Sequence, residues 1–432
     1  MPLVGSQHLM RAPQYSTKPD ELFETSCIEN PHPFYQRLRT EHPISCIADT
    51  GVHLVVTWDL IAQVLEREED FSANLTGVLI RGADGQPQVF KLPDSAGIRV
   101  IATADEPDHA THRAIVQPRL TARRIAQMEG QIETWASDAV EKWLADGGGD
   151  FIPIAEAIPA RVVAELLGLP QSDIALHRTW AMMGGDILAG VVDTDRMITL
   201  ARETRQMSEY IGTHLNDARS APLEDVDAPL LHALAIAVDA GDITFEEALG
   251  IAAVMFGAGG ESTAALIGSV VRQLAEHPEI ANTLRREPAS IPAFVEEITR
   301  LEPPFKFHYR VVRRSCELGG ISLEPGDRLI LLWASANRDV SFVEDGDSLR
   351  LDRSHSKIHM SFGRGLHFCV GAALARLEAR IVCEQLLART DTLALVDGDP
   401  PVHTRSIFVR RLERLALSAT ESASMTSESQ SE

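Results

Sequence analysis

A single cysteine placed among closely spaced glycines constrains this chain more than any other feature. Residues 362–371 read Phe-Gly-Arg-Gly-Leu-His-Phe-Cys-Val-Gly. Gly363 and Gly365 lack Cβ atoms, so the backbone can turn sharply and approach the sulfur of Cys369. An apolar-periodic helix is predicted to begin at Cys369, and its free N–H groups would favour the thiolate over the thiol.

The other cysteines restrict the cofactors that this chain can hold. Cys27, Cys46, Cys316 and Cys383 are scattered, with no metal-ligand or disulfide spacing, which predicts a reducing compartment. Zinc and iron–sulfur clusters need several protein ligands, so Cys369 alone cannot hold them. A heme needs only one thiolate, because the porphyrin supplies the other four donors.

The cysteine segment resembles the heme-binding loop of the cytochrome P450 family, Phe-Gly-x-Gly-x-His/Arg-x-Cys-x-Gly. The fixed positions are met by Phe362, Gly363, Gly365, His367, Cys369 and Gly371. The resemblance implies a mainly α fold, with one triangular helical domain and small peripheral β-sheets. It also implies heme b (iron protoporphyrin IX) with Cys369 as the iron ligand. The alternative, a glycine-rich turn before a buried, inert cysteine, explains Cys369 but not the spaced set.

A long helix is predicted between Thr244 and His277. Thr244 and Glu247 match a capping box, and Pro278 ends the apolar pattern. The glycine cluster at 257–260 falls in its middle, where each glycine costs about 1 kcal/mol relative to alanine. Loosened carbonyl hydrogen bonds or the close approach of a ligand would explain such a cluster.

The residues after those glycines resemble the family's oxygen-activation motif, in which an acid and an alcohol relay protons. The resemblance assigns these catalytic roles to Glu261 and Ser262. Ser262 stands where the family has threonine and lacks the methyl group that restricts a threonine rotamer. Thr263 is therefore an open alternative for the relay alcohol.

The resemblance also assigns residues to the heme propionates. His109 and Arg113 match a His-x-x-x-Arg pattern, which places both on one helix face. His112 competes with His109 for this role but would face elsewhere. Arg310 and His367 match the remaining propionate-binding positions. The pair Glu297 and Arg300, at spacing i to i+3, is expected to be structural support beneath the heme.

Charge and terminal composition define the expected organisation. The formal net charge of −22 argues against nucleic acid or an anionic membrane as a partner. We predict an N-terminal arm at 1–20, a heme-thiolate domain at 21–418 and a disordered tail at 419–432. The polar N-terminus shows no signal peptide or anchor. The chain thus looks like a soluble, bacterial-type member of the family, cytoplasmic and monomeric.

The resemblance implies a monooxygenase that inserts one oxygen atom from O2 into a small-to-medium apolar substrate. Because no flavin or iron–sulfur domain is visible, electrons are expected from a ferredoxin and its NAD(P)H-dependent reductase. A basic patch of Arg119, Arg123, Arg124 and Arg364 is predicted to receive the ferredoxin. The alternatives are a peroxide-driven peroxygenase on the same fold and a non-catalytic heme protein that binds a ligand.

Lys306 leaves the polarity of the substrate open. It lies between Phe305 and Phe307 in a predicted extended segment, where alternate side chains face opposite ways. Either Lys306 enters the pocket and pairs with a substrate carboxylate, or the phenylalanines enter and Lys306 is solvated.

Overall fold

The computed structural model describes residues 21–92, 99–191, 193–221, 227–354 and 356–422. Helices dominate this part of the chain and the sheets are small, as the mainly α prediction requires. The predicted arm at 1–20 lies outside the described residues. The helices are α1 Thr25–Glu29, α2 His32–Glu41, α3 Trp58–Glu66, α4 Asp108–Val116, α5 Ala122–Ala145, α6 Ile152–Leu167, α7 Ile174–Ala181, α8 Met183–Ile187, α9 Thr194–Ser220, α10 Leu230–Ala240, α11 Phe245–Met255, α12 Ser262–Glu276, α13 Pro278–Arg286, α14 Ile291–Leu301, α15 Trp333–Ala336 and α16 Ala372–Arg389.

The strands form a five-stranded sheet and smaller ribbons. They are β1 Ile44–Cys46, β2 Val52–Val55, β3 Phe71–Ser72, β4 Gly77–Arg81, β5 Pro87–Lys91, β6 Gly149–Asp150, β7 His308–Val312, β8 Cys316–Leu318, β9 Ile321–Leu323, β10 Arg328–Leu331, β11 Thr390–Leu395, β12 Val402–His403, β13 Leu412–Arg414 and β14 Ala416–Glu421. The five-stranded sheet has the order β1-β2-β10-β7-β3. Strand β10 runs parallel to β2 and antiparallel to β7, with Leu329 opposite Arg310.

The last strand extends into the segment predicted as a disordered tail. Strand β14 reaches Glu421, three residues into the segment assigned to the tail, because it pairs with β11. Ala416 and Leu417 are buried at its start, so this strand closes part of the core. Residues 423–432 lie outside the described residues.

The long central helix is confirmed, with an irregular middle. Thr244 is its N-cap, and the capping box with Glu247 forms in both directions. The helix runs through α11, a π-helical segment at Phe256–Glu261, and α12, which ends before His277. The most apolar window of Phe245–Glu276 is 61% buried inside the protein, so it packs as a core helix although its length and composition would suit a membrane span.

The glycines of the π segment allow a close helix crossing. A Cβ atom on Gly260 would lie 2.5 Å from the Cβ of Ala181, and one on Gly257 would lie 3.4 Å from the Cα of Gly184. Helix α7 therefore approaches the central helix more closely than a side chain at position 260 would permit, whereas a Cβ atom at position 257 would make only ordinary contact with α8. The glycine cluster thus serves helix packing as well as the irregular π geometry.

A buried ion pair connects α14 to the cysteine loop at residues 359–371. Arg300 donates from Nε and Nη2 to the two carboxylate oxygens of Glu297, each over 2.9 Å, and both side chains are buried. Nη1 of Arg300 donates to the Asn337 carbonyl over 2.9 Å. Asn337 in turn donates to Ser361 Oγ and accepts from the Met360 N–H, over 2.8 and 2.7 Å. The structural role predicted for this pair is confirmed.

Glu297→Gln should destabilise the fold, because Arg300 and Arg353 would keep buried charges without their shared carboxylate. We expect a loss of about 3 kcal/mol in the free energy of unfolding. The matched control is Arg219→Met, which removes an exposed pair with Asp239 and should cost less than about 1 kcal/mol. Denaturant unfolding of both variants measures the difference. Equal losses in the free energy of unfolding would show that the buried pair stabilises the fold no more than the exposed pair does.

Candidate active site

One large cavity lies between the central helix and the cysteine loop. It encloses about 1510 Å³ of empty space, counted to its solvent-facing mouth. Segments far apart in sequence meet there, and all but one of the predicted site residues line it. The lining members of that set are His109, Arg113, Ser262, Thr263, Arg310, Phe362, Gly363, His367, Cys369 and Gly371. Glu261 is the exception.

The cysteine loop presents Cys369 to this cavity. The loop closes through the Cys369 N–H, which donates to the Phe362 carbonyl over 2.8 Å. Gly363 and Gly365 adopt φ of 67° and 70°, a region that glycine enters without penalty. The cysteine side chain is exposed to the cavity, so it is not a packed, inert core thiol.

Two expectations about the sulfur need correction. Helix α16 begins at Ala372, three residues after Cys369, whose N–H instead closes the loop. Although the Cys369 side chain faces the cavity, its depth inside the protein desolvates the thiol and raises its pKa. The N–H groups of Gly371 and Ala372, which donate to the sulfur, only oppose that rise. The helix start alone therefore does not favour the thiolate. A cation bound to the sulfur would do so.

One edge of the cavity carries two arginines that form no ion pair among the described residues. Arg113 donates from Nη1 to the carbonyls of Leu366 and Phe368, and Arg310 donates to the Tyr309 carbonyl. Among the described residues, no carboxylate lies within ion-pair distance of either guanidinium. Burial lowers the pKa of Arg310 to about 10, which indicates a desolvated cation.

The histidines at this edge add hydrogen-bonding capacity. The rings of His109 and His367 lie 4.3 Å apart, and Nδ1 of His367 is buried without a partner. Nδ1 of His109 lies 3.0 Å from Glu106 Oε1, within hydrogen-bond distance. A sulfur on one side and cations along one edge fit a flat iron porphyrin with two carboxylates.

The structure favours His109 over His112 as the residue at this edge. His109 lines the cavity, whereas His112 is buried behind it. Nδ1 of His112 instead accepts the backbone N–H of Ile101 over 3.2 Å. Ile101 lies in the cavity wall with φ of 37°, a region that costs a β-branched residue about 1–3 kcal/mol.

Glu261 points away from the cavity, unlike its neighbours. Its Oε2 accepts the Gly185 N–H over 2.5 Å, and its Oε1 lies 3.3 Å from Nε of Arg411. Burial raises the pKa of Glu261 to about 7, against the opposing charge of Arg411. Sequence reasoning missed Arg411, because nothing in the sequence relates it to a motif 150 residues earlier.

A chain of ion pairs connects Glu261 to the protein surface. Arg411 Nη1 lies 3.2 Å from Glu156 Oε1, and Glu156 Oε2 lies 3.5 Å from Nε of Arg178. The Arg178 side chain is 46% exposed. Ser262 and Thr263, in contrast, line the cavity, and Ser262 Oγ donates to the Ala258 carbonyl over 2.5 Å.

The wall opposite the sulfur is mainly apolar. Val254, Met255 and Ala258 of the central helix line it together with Phe305, whose ring stacks on Phe408 at 4.6 Å. Helix α6 also contributes residues that sequence reasoning missed, namely Val162, Val163 and Leu166.

His308 adds one polar group to the cavity lining. Its Nδ1 accepts the Trp333 Nε1–H over 2.8 Å, so the proton of the neutral ring lies on Nε2. Burial lowers the pKa of His308 to about 4, which keeps the ring neutral at pH 7.

Neither predicted position of Lys306 is correct. Lys306 does not line the cavity, yet it is buried, and its Nζ donates to the Ser406 carbonyl over 2.7 Å. Phe305 lines the cavity, while Phe307 packs in a core cluster beside Phe408. Side chains still alternate along this segment, but the Lys306 ammonium group contacts the Ser406 carbonyl rather than water.

The predicted basic patch is weaker than its composition suggests. Arg123 lies 2.5 Å from Asp227, and Arg124 donates to the carbonyl of the same residue over 2.8 Å. Arg119 is partly buried and donates to the Ile115 carbonyl. Arg364 is exposed on the cysteine loop. Nearby acidic charge therefore offsets part of this patch.

Comparisons with known proteins agree with this geometry. A family model described as "Cytochrome P450" matches residues 194–414. "Cytochrome P450 144" of Mycobacterium tuberculosis is 40% identical over 402 residues, covering 91% of this chain and 90% of that protein. "Erythromycin C-12 hydroxylase" of Saccharopolyspora erythraea is 33% identical over 345 residues, covering 78% of this chain and 82% of that protein.

A solved structure supports the same fold. "Cytochrome P450 CREJ in complex with (4-ethylphenyl) dihydrogen phosphate" superposes with a TM-score of 0.81 at 26% identity. The match covers 91% of this chain and 98% of that chain. The mainly α fold class is therefore confirmed.

The buried Glu261 predicts a pH-dependent stability. Folding raises the pKa of Glu261 from 4.5 to about 7, so the folded protein favours the protonated carboxyl. The contribution of this carboxyl to the free energy of unfolding is therefore complete below pH 4.5 and is lost as the pH rises to about 7. At 1.36 kcal/mol for each pH unit, the loss is about 3 kcal/mol. Denaturant unfolding from pH 4.5 to 8 should show this fall relative to Glu261→Gln, and parallel curves would contradict the raised pKa.

Proposed function

Because this chain belongs to the cytochrome P450 family of monooxygenases, we propose that it hydroxylates a small-to-medium apolar organic substrate. One atom of O2 would enter the substrate, and the other would leave as water after uptake of two electrons and two protons. The observation that carries this proposal is one cavity lined by Cys369, by Ser262 and Thr263 of the central helix, and by two arginines without ion pairs among the described residues.

Heme b fits this cavity and, when bound, would supply the redox chemistry that activates O2. The Cys369 sulfur would hold the iron, and the N–H groups of Gly371 and Ala372 would continue to donate to that sulfur. Arg113, Arg310 and the two histidines would bind the carboxylates. These contacts would hold the group in the cavity that the central helix lines.

Residues of the chain itself would supply protons to the cavity. Glu261 is poised for this role because, with a pKa of about 7, it can gain and lose a proton near neutral pH. It lies at the inner end of the ion pairs that run through Arg411 and Glu156 to Arg178 at the surface, and these fixed charges would hold its carboxyl in place while it exchanges protons. To deliver them it must leave the Gly185 N–H and turn towards Ser262 or Thr263, whose hydroxyl groups can both donate and accept.

The cavity wall favours an apolar substrate with a hydrogen-bond acceptor. Val254, Met255 and Phe305 offer apolar contact, and His308 offers a ring N–H that stays neutral. The buried position of Lys306 removes the reason to expect a substrate carboxylate paired with that residue. The hydroxylase named above acts on erythromycin, but nothing in this wall identifies a macrolide.

Electrons would come from separate proteins, a ferredoxin and its NAD(P)H-dependent reductase. Because the chain carries a net charge of −22, docking would depend on local cations near the cysteine loop, with Arg364 exposed there. The named relatives are bacterial, and we propose a cytoplasmic monomer.

Replacing the proposed iron ligand tests the assignment directly. Cys369→Ser should lose the red-shifted absorption band of the reduced carbon monoxide complex, because an alcohol oxygen does not donate electrons as a thiolate does. Cys383→Ser is the matched control, since Cys383 is buried in the core and does not line the cavity. Survival of the band in Cys369→Ser would reject the thiolate-heme assignment.

Two single substitutions decide which alcohol relays protons. Ser262→Ala should keep NADH consumption but divert electrons to hydrogen peroxide, lowering product per NADH by roughly tenfold if Ser262 is the relay. Thr263→Ala is the matched variant and should retain coupling. The measurement is product and peroxide per NADH with a surrogate ferredoxin and reductase. The reverse pattern would assign the relay to Thr263, and unchanged coupling in both would reject an alcohol relay.

A further inference from the structure

We propose that His112 is a positioning residue that holds Ile101 in the cavity wall and thereby restricts the size of substrate accepted. The substrate part of this inference rests on the proposed function, whereas the structural part does not. His112 does not line the cavity, so it would act only through Ile101.

Ile101 has a backbone conformation that its own side chain disfavours. Its φ of 37° lies in the left-handed region, which β-branched residues rarely enter. Such a conformation persists only where the surroundings impose it. Ile101 begins a short 3-10 turn, Ile101–Thr103, and both Ile101 and Ala102 line the cavity.

The imposing contact comes from His112. Its Nδ1 accepts the Ile101 N–H over 3.2 Å in a buried environment, so the neutral ring carries its proton on Nε2. Nε2 lies 3.6 Å from Glu247 Oε1. Glu247 is fixed in turn, because its Oε2 accepts from the Thr244 N–H and hydroxyl over 2.7 and 2.9 Å.

The contacts therefore run from the start of the central helix to the cavity wall. Thr244 and Glu247 fix the His112 ring, and the ring fixes the Ile101 amide. Without the acceptor at Nδ1, the Ile101 N–H would be buried and unsatisfied unless the turn moved. A change of φ to an ordinary negative value would withdraw the isoleucine side chain from its present place in the wall and widen the cavity.

The test compares His112→Leu, which removes the acceptor, with His112→Gln, whose side-chain oxygen can replace it. His53→Leu controls for the loss of a buried histidine elsewhere, since His53 lies on β2 and does not line the cavity. In the holoenzyme, hydrogen exchange of the peptide spanning 99–104 should be about tenfold faster in His112→Leu. His112→Gln and His53→Leu should exchange as the wild type does.

Ligand size gives the second readout. Ethylbenzene and testosterone serve as small and large apolar probes, and the spin-state shift measures their dissociation constants. His112→Leu should change the ratio of these dissociation constants about tenfold in favour of testosterone. Ile101→Gly should change it in the same way, because glycine tolerates the positive φ but lacks the isoleucine side chain. Combining His112→Leu with Ile101→Gly should change the ratio of dissociation constants no further than Ile101→Gly alone.

The outcomes separate this inference from the proposed function. Unchanged exchange and an unchanged probe ratio in His112→Leu would overturn the inference. If that variant fails to fold, an unchanged probe ratio in Ile101→Gly overturns it instead. Absence of the red-shifted carbon monoxide band in the wild type would reject the proposed function but leave the exchange result valid.

Discussion

The buried pairing of Glu297 with Arg300 is the interaction on which the site depends. Both charged groups are removed from water, so each needs the other and the surrounding carbonyls to remain stable. Asn337 transmits this arrangement to Met360 and Ser361, which begin the cysteine loop. The loop is thereby fixed from below, and Cys369 meets the cavity at a defined place just before helix α16 begins.

The central helix supplies the opposite wall, and its irregular middle serves two purposes. The π segment and its glycines let α7 cross closely, and Gly185 of α8 lies within hydrogen-bond distance of Glu261. The same segment turns Glu261 and Ser262 to different sides of the helix. For the proposed proton delivery, the Glu261 side chain would have to leave Gly185 and turn towards the cavity.

Most of the fold and the residues of the cavity could be predicted from sequence because spaced motifs carry them. The capping box at Thr244, the cysteine loop and the Glu297–Arg300 pair are local patterns with direct physical meaning. The orientation of Glu261, the buried Lys306 and the raised pKa of Cys369 could not be predicted in the same way. Each depends on a partner distant in sequence or on the total burial of a group, and neither leaves a local pattern. The strained Ile101 belongs to the same class.

The central claim is that the chain inserts an atom of molecular oxygen into an apolar compound bound between Cys369 and the central helix. Isotope labelling tests it most directly. With ¹⁸O2, NADH, and a surrogate ferredoxin and reductase, an apolar probe that shifts the spin state should yield a product with one ¹⁸O atom. The second ¹⁸O atom should be released into the unlabelled solvent as labelled water. An unlabelled product, or product formed only when hydrogen peroxide is supplied, would contradict the account.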